Sequence, residues 1–102
     1  MAAASGSGKS LAQWLSRVIE LGGDGLEVQY KDGCEQITAM KANLGFGIGD
    51  IMSDSPQATA LRDELWSLRN RTTRFEVGGT VYRARVTTFN SFGETGFRVK
   101  IL

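Results

Sequence analysis

Residues 72–102 read TTRFEVGGTVYRARVTTFNSFGETGFRVKIL, and the alternation within this stretch decides the fold. Phe75 and Val77 alternate with polar neighbours up to Gly78-Gly79, a pair that tolerates the positive φ of a two-residue hairpin turn. Such a turn sets Val77 opposite Thr80 and Phe75 opposite Tyr82. Side chains along a strand alternate with period 2, so Phe75, Val77, Tyr82, Ala84 and Val86 share one face. Arg74, Glu76, Arg83 and Arg85 share the other. After a loop at Asn90-Ser91-Phe92-Gly93-Glu94 the pattern repeats, with Phe97, Val99 and Ile101 on one side and Arg98 and Lys100 on the other. The stretch is therefore expected to form three antiparallel strands, apolar on one side and basic on the other.

The whole chain has 102 residues, room for one domain with one modest core. Its 41% apolar and 23% charged residues are ordinary for a soluble globular protein. A net charge of +1 gives no bulk attraction to nucleic acid or anionic membrane, so only a local cluster of one sign could supply it. No apolar run approaches the length of a membrane-spanning helix, and the small, polar N-terminus lacks the apolar core of a signal peptide. Cys34 is the single cysteine, which removes internal disulfides and cysteine-based metal sites and makes a cytosolic compartment the simplest expectation. Histidine is absent, and with it go the Ser-His and Cys-His nucleophile pairs and the commonest metal ligand.

Residues 1–10, MAAASGSGKS, are expected to be a flexible leader or a non-native segment added in cloning. Ala3 to Ser10 also fits a loose phosphate-loop pattern. In that motif Gly8 would help cradle phosphates, Lys9 would reach the β and γ oxygens and Ser10 would hold Mg²⁺. The motif needs a buried strand directly before it, and Met1 to Ala4 do not supply one. Ser10 has a simpler role, because Ser10-Leu11-Ala12-Gln13 is a capping-box pattern at a helix start. Leu11, Trp14, Leu15, Val18 and Leu21 then make one apolar stripe at helical spacing, which Gly22-Gly23 ends. Trp14 is expected to be a core anchor.

Leu26 to Lys41 reads as a hairpin about Asp32-Gly33, with Val28 opposite Ile37 and Leu26 opposite Ala39. Glu27, Gln29, Gln36 and Thr38 face the other way, and Cys34 is a small residue beside the turn. Asn43 to Ser55 is Gly-rich and lacks the spacing of a phosphate-binding glycine loop. It is expected to be a connection whose Phe46, Ile48, Ile51 and Met52 pack on the core. Ser55 caps a second helix, with Pro56 in the first turn where its missing N–H is harmless. Ala58, Leu61, Leu65 and Leu68 are its buried stripe. Arg62, Asp63, Glu64 and Arg69 are expected to form a solvated charged face, flanked by Trp66 as an exposed contact residue.

The expected fold is thus α+β, with residues 11–102 as a single domain. It has an antiparallel sheet of about five strands in the order α-β-β-α-β-β-β and two helices packed on one face. The open face collects Arg74, Arg83, Arg85, Arg98 and Lys100, relieved mainly by Glu76. Neighbouring cations repel, so either they splay into water or they form an anion site, and guanidinium forks match phosphate and carboxylate geometry.

Tyr82 to Leu102 resembles the closing segment of the N-terminal domain of the hexameric secretion and pilus ATPases, the type II secretion, type IV pilus and type IVB secretion motors. That domain ends with a strand of the form V-R-V-S-T, a short loop with G-E, and a strand like V-V-L-R-L-L. Here Arg85-Val86-Thr87-Thr88, Gly93-Glu94 and Phe97 to Leu102 hold those places. Asp50-Ile51-Met52-Ser53-Asp54 and the following helix look like the segment before the F-E-V hairpin of the pilus-retraction members. Asp24-Gly25-Leu26-Glu27-Val28 lies where the family has its S-D-L-H-L strand. In order of elements the resemblance covers Leu11 to Leu102.

The resemblance implies a PAS-like domain that packs on a following P-loop domain, the two moving as ATP is bound and hydrolysed. Arginines of the closing strands approach the nucleotide phosphates; by position that role falls to Arg85, with Lys100 standing where the family has an arginine. Lysine is a point charge and not a fork. This chain has no phosphate loop in a strand–loop–helix setting and no Asp or His box. It is expected to be no enzyme by itself and to hold no cofactor in isolation; ATP and Mg²⁺ belong to a P-loop domain. It is read as an excised domain or a free-standing adaptor. The implied partners are the other domain or subunits of a hexameric motor and secretion-system inner-membrane proteins. The implied location is cytoplasmic, at the inner face of the cytoplasmic membrane, with no membrane insertion.

Two other classes compete. A protein-interaction module would dock a partner on the sheet edge or the Trp66 helix and read acidic side chains with its arginines. A nucleic-acid-binding sheet would stack bases on Tyr82, Phe89 and Phe92, and the near-neutral charge and lack of an RNP-type motif speak against it. Independent catalysis would rest on Asp24, Asp32, Asp50 and Asp54, none paired at a diagnostic spacing.

Overall fold

Helix α1 (Leu11–Glu20) opens the structure, a computed structural model that describes residues 10–91 and 93–102. The Ser10 hydroxyl accepts the Gln13 N–H at 3.4 Å, and the Ser10 N–H donates to Gln13 Oε1 at 2.7 Å. This capping box satisfies donors that a helix start would otherwise leave free. Leu11, Trp14, Leu15 and Val18 are buried along one stripe. The chain turns out of the helix at Gly22, whose φ of 76° suits the residue that follows a helix C-cap.

Strands β1 (Gly25–Lys31), β2 (Cys34–Lys41) and β3 (Leu44–Met52) form a meander. Helix α2 (Pro56–Leu68) follows, and β4 (Arg71–Val77), β5 (Thr80–Ser91) and β6 (Glu94–Ile101) form a second meander. The pairings between these strands are antiparallel, and β1 pairs with β6 to join the meanders into one sheet ordered β3-β2-β1-β6-β5-β4. Three hairpin turns carry two successive positive φ values, at Asp32-Gly33, Ala42-Asn43 and Gly78-Gly79. That is the signature of turns whose twist matches the flanking strands. The expected registers are the observed ones: Val28 faces Ile37, Leu26 faces Ala39, Phe75 faces Tyr82 and Val77 faces Thr80.

The expectation of about five strands ordered α-β-β-α-β-β-β is corrected at one place. Residues 44–52 are an edge strand and not an irregular connection, so the order is α-β-β-β-α-β-β-β with six strands. Gly45, Gly47 and Gly49 mask the strand because glycine is a poor strand former when nothing opposes it. Here β2 supplies a full row of ladder partners, and the Ala42-Asn43 turn folds the chain straight onto it. Gly49 is required for packing, since a Cβ there would lie 2.6 Å from Trp14 Cη2. The ladder steps between Ile37, opposite Gly49, and Thr38, opposite Gly47, leaving Ile48 as the extra residue of a bulge. Ile48 and Ile51 pack on the core as expected, whereas Phe46 is 38% exposed and Met52 60% exposed.

Both helices cover the same face of the sheet, where Leu26, Val28, Ile37, Ala39, Phe75, Ala84, Val86, Phe97 and Val99 join the helical stripes in one core. Helix α2 carries the chain from one sheet edge to the other. Five strand spacings amount to about 24 Å, and 13 helical residues span about 20 Å, so the helix with its short flanks bridges β3 to β4. Ser55 caps it by accepting the Ala58 N–H at 3.1 Å. Ala58, Leu61 and Leu65 are buried, and Trp66 meets Phe97 edge to face at 5.1 Å. Its charged face is not simply solvated. Arg62 reaches to 3.7 Å from buried Glu35, which also accepts the Ser53 hydroxyl at 2.9 Å. Glu64 accepts the Leu11 N–H at 3.0 Å and so ties α2 to α1. Arg69 lies over the Trp66 ring.

Candidate anion site on the open sheet face

Strand alternation puts Arg74, Arg83, Arg85, Arg98 and Lys100 on the face away from the helices. The ladder then sets like charges directly across from one another. Arg74 is opposite Arg83, and Arg85 is opposite Lys100. Cross-strand like charges are destabilising by a few tenths of a kcal/mol up to about 1 kcal/mol. Among the described residues none of these four cations forms an ion pair, and neither does Glu76, the acid expected to relieve them.

Arg98 differs. Its Nε donates to Glu27 Oε2 at 2.8 Å, and its guanidinium lies 4.9 Å from the centre of the Phe89 ring. Glu27 faces Arg98 directly across the β1–β6 ladder. Phe89 in turn lies over Gly96, its partner across the β5–β6 ladder, where an added Cβ would overlap the ring. The glycine lets the aromatic ring lie flat on the sheet, and the ring and carboxylate together fix Arg98. By alternation alone Arg98 is a free anion-binding cation; in the structure it is a neutralised one that borders the site.

Next to Lys100 the sheet carries a groove of about 460 Å³, lined by Asp24, Gly25, Glu27, Met40, Arg98 and Lys100 among others. Gly25 sits opposite both Lys100 and Met40, so the absence of a side chain there lowers the floor between two long ones. Asp24 holds one end: its carboxylate accepts the Ala42 N–H at 3.2 Å, its N–H donates to the Met40 carbonyl, and its carbonyl accepts the Ile101 N–H at 3.0 Å. A ligand placed there would have Lys100 along one wall, and Arg85 stands opposite Lys100 on the next strand, outside the groove itself.

The structure thus brings Arg83, Arg85, Arg98 and Lys100 to one face. It does not bring Ser10 to them, because Ser10 is occupied as the cap of α1; Gly8 and Lys9 lie outside the described residues. Of the aromatic residues considered for base stacking, Phe89 is on the open face. Tyr82 stacks on Phe75 at 5.6 Å on the helix side, and Phe92 lies outside the described residues. Sequence reasoning missed the groove and the Glu27 clamp. Both depend on β1 lying beside β6, a contact between residues 71 positions apart that has no local signature. Among the described residues no cluster of metal-ligating side chains forms, and no helix is long and apolar enough to cross a membrane.

No protein-family model matches this chain, and no curated protein does.

Proposed function

We propose that this chain is the non-catalytic N-terminal domain of a bacterial secretion, pilus or conjugation traffic ATPase. Its open sheet face takes an anionic group through Arg85 and Lys100, with Arg83 beside them. The anion is the phosphate portion of a nucleotide held by an adjoining P-loop domain, which also supplies Mg²⁺. The observation that carries the reading is the block of cations set opposite one another without carboxylate partners beside a groove. A bound anion relieves that repulsion, and the guanidinium of Arg85 offers a bidentate fork where Lys100 offers a point charge. On this reading the protein works in the cytoplasm at the inner face of the membrane, within a hexameric motor and against inner-membrane components of the transport machine.

Calorimetric titration with pyrophosphate and with Mg·ATP tests the reading. A charge-assisted hydrogen bond is worth about 1.5–3 kcal/mol, so Arg85→Ala and Lys100→Ala should each weaken binding roughly tenfold or more. Arg17→Ala, on the outer side of α1, should leave it unchanged. Equal affinity for all three variants, or no binding by the wild type at low salt, refutes the proposal.

A second reading, a free-standing adaptor that binds an acidic protein segment, draws on Val81 and Leu102. They are 55% and 59% exposed on the same face and flank the cations with apolar surface. Val81→Ser would then weaken partner binding while leaving pyrophosphate binding intact.

A further inference from the structure

Strand β3 is an open edge of the sheet, and apart from its bulge at Ile48 it lacks the charged and proline residues that usually keep edges from pairing. Between Leu44 and Met52 there is no lysine, arginine or proline, and Asp50 is the single charge. The opposite edge, β4, carries Arg71, Arg74 and Glu76. Leu44 is 73% exposed and Met52 60% exposed, and a Cβ added at Gly47 would meet nothing within 4 Å.

The bulge at Ile48 identifies the occupant. A regular strand laid against β3 would lose register at the extra residue. A second β3, running antiparallel about a two-fold axis between Ile48 and Gly49, brings its own bulge to the same point and stays in register. In that arrangement Gly45 faces Met52 of the second copy, Phe46 faces Ile51, Gly47 faces Asp50, and Ile48 faces Gly49. The faces agree as well. Phe46, Gly49 and Ile51 pair with Ala39, Ile37 and Glu35 on the buried side of β2, whereas Gly45, Gly47, Asp50 and Met52 pair with Met40, Thr38, Gln36 and Cys34 on its open side. Each open-face pair across the axis sets a side chain against a glycine. The two Asp50 carboxylates do not face one another.

We propose that β3 pairs with β3 of a second copy of this chain, continuing the sheet across an isologous interface. The contact lies apart from the Arg85–Lys100 pair, since β2 and β1 separate β3 from β6 and β5 lies one strand further. The full chain should show a concentration-dependent monomer–dimer equilibrium in sedimentation velocity. Phe46→Lys changes a side chain that is 38% exposed; it should fold, as judged by circular dichroism, and weaken dimerisation at least tenfold. In a Cys34→Ser background, Gly47→Cys with Asp50→Cys should oxidise to a covalent dimer. Within one extended strand those positions are about 10 Å apart, too far for an internal disulfide. The out-of-register pair Gly45→Cys with Asp50→Cys should link poorly. The proposal is overturned by a wild type that stays monomeric at all concentrations, by species larger than a dimer, or by a dimer insensitive to Phe46→Lys. Equal linking by both cysteine pairs also overturns it.

Discussion

Replacing Gly49 with alanine should destabilise the protein by about 1–3 kcal/mol, the usual range for overpacking a filled core. The added methyl would lie 2.6 Å from Trp14 Cη2 and 3.0 Å from Cζ3. Trp14 is only 6% exposed and belongs to the central cluster, so its ring has no room to swing away. Relief must come from β3, which as an edge strand can shift outward only by loosening its ladder with β2. Gly47, two residues earlier on the open face, is the control: a Cβ there meets nothing within 4 Å. Gly47→Ala should be neutral or stabilising by about 0.4–1 kcal/mol through the reduced entropy of the unfolded chain. The two variants should therefore differ by about 2 kcal/mol, which for a domain of this size corresponds to roughly 8–16 °C in Tm. Urea denaturation followed by far-UV circular dichroism measures the difference without relying on tryptophan emission. Trp14→Phe, whose ring stops short of the crowded position, should rescue part of the loss, with a coupling of about 1 kcal/mol or more in a double-mutant cycle. If Gly49→Ala is as stable as Gly47→Ala, the packing of Trp14 on β3 is wrong.

Ser10→Ala removes the hydroxyl of the capping box and should cost about 1 kcal/mol, read as a lower urea midpoint at unchanged slope. Ala42 holds a φ of 50° without being glycine. Because that conformation costs an L-residue roughly 1–2 kcal/mol, offset by the roughly 0.5–1 kcal/mol of extra entropy that glycine loses, Ala42→Gly should raise stability slightly. Lys100→Gln removes one of two opposed cations and should stabilise the unliganded protein by about 0.2–1 kcal/mol at low ionic strength. The gain should shrink in high salt as screening replaces the substitution.

Much of the fold was legible because local chemistry and periodicity agreed. Asp32-Gly33 and Gly78-Gly79 fixed two registers, and alternation placed Arg83, Arg85 and Lys100 on one face without knowledge of the strand order. Strand β3 was hidden because its glycines answer to neighbours on other elements: Gly49 to Trp14 on α1, and Gly45 to Thr38 and Met40 across the hairpin. Arg98 looked as free as Lys100, since both are outward cations on one strand. They diverge because Glu27 stands beside Arg98 and Gly25 stands beside Lys100. The same two β1 residues, one supplying a carboxylate and the other supplying nothing, separate a clamp from a groove. Arg62 and Glu64 were misjudged for a related reason, as their partners Glu35 and Leu11 lie on other elements.

Whether Arg85 and Lys100 form an anion site beside the Gly25 groove is decided by an amide ¹H–¹⁵N correlation spectrum recorded during titration with pyrophosphate. Saturable shifts should concentrate at Gly25, Arg85 and Lys100 and their ladder neighbours. Little change should occur along α1 and α2, and the shifts should be lost in Arg85→Ala. Shifts scattered over the surface, confined to the helices, or unchanged in that variant would contradict the site.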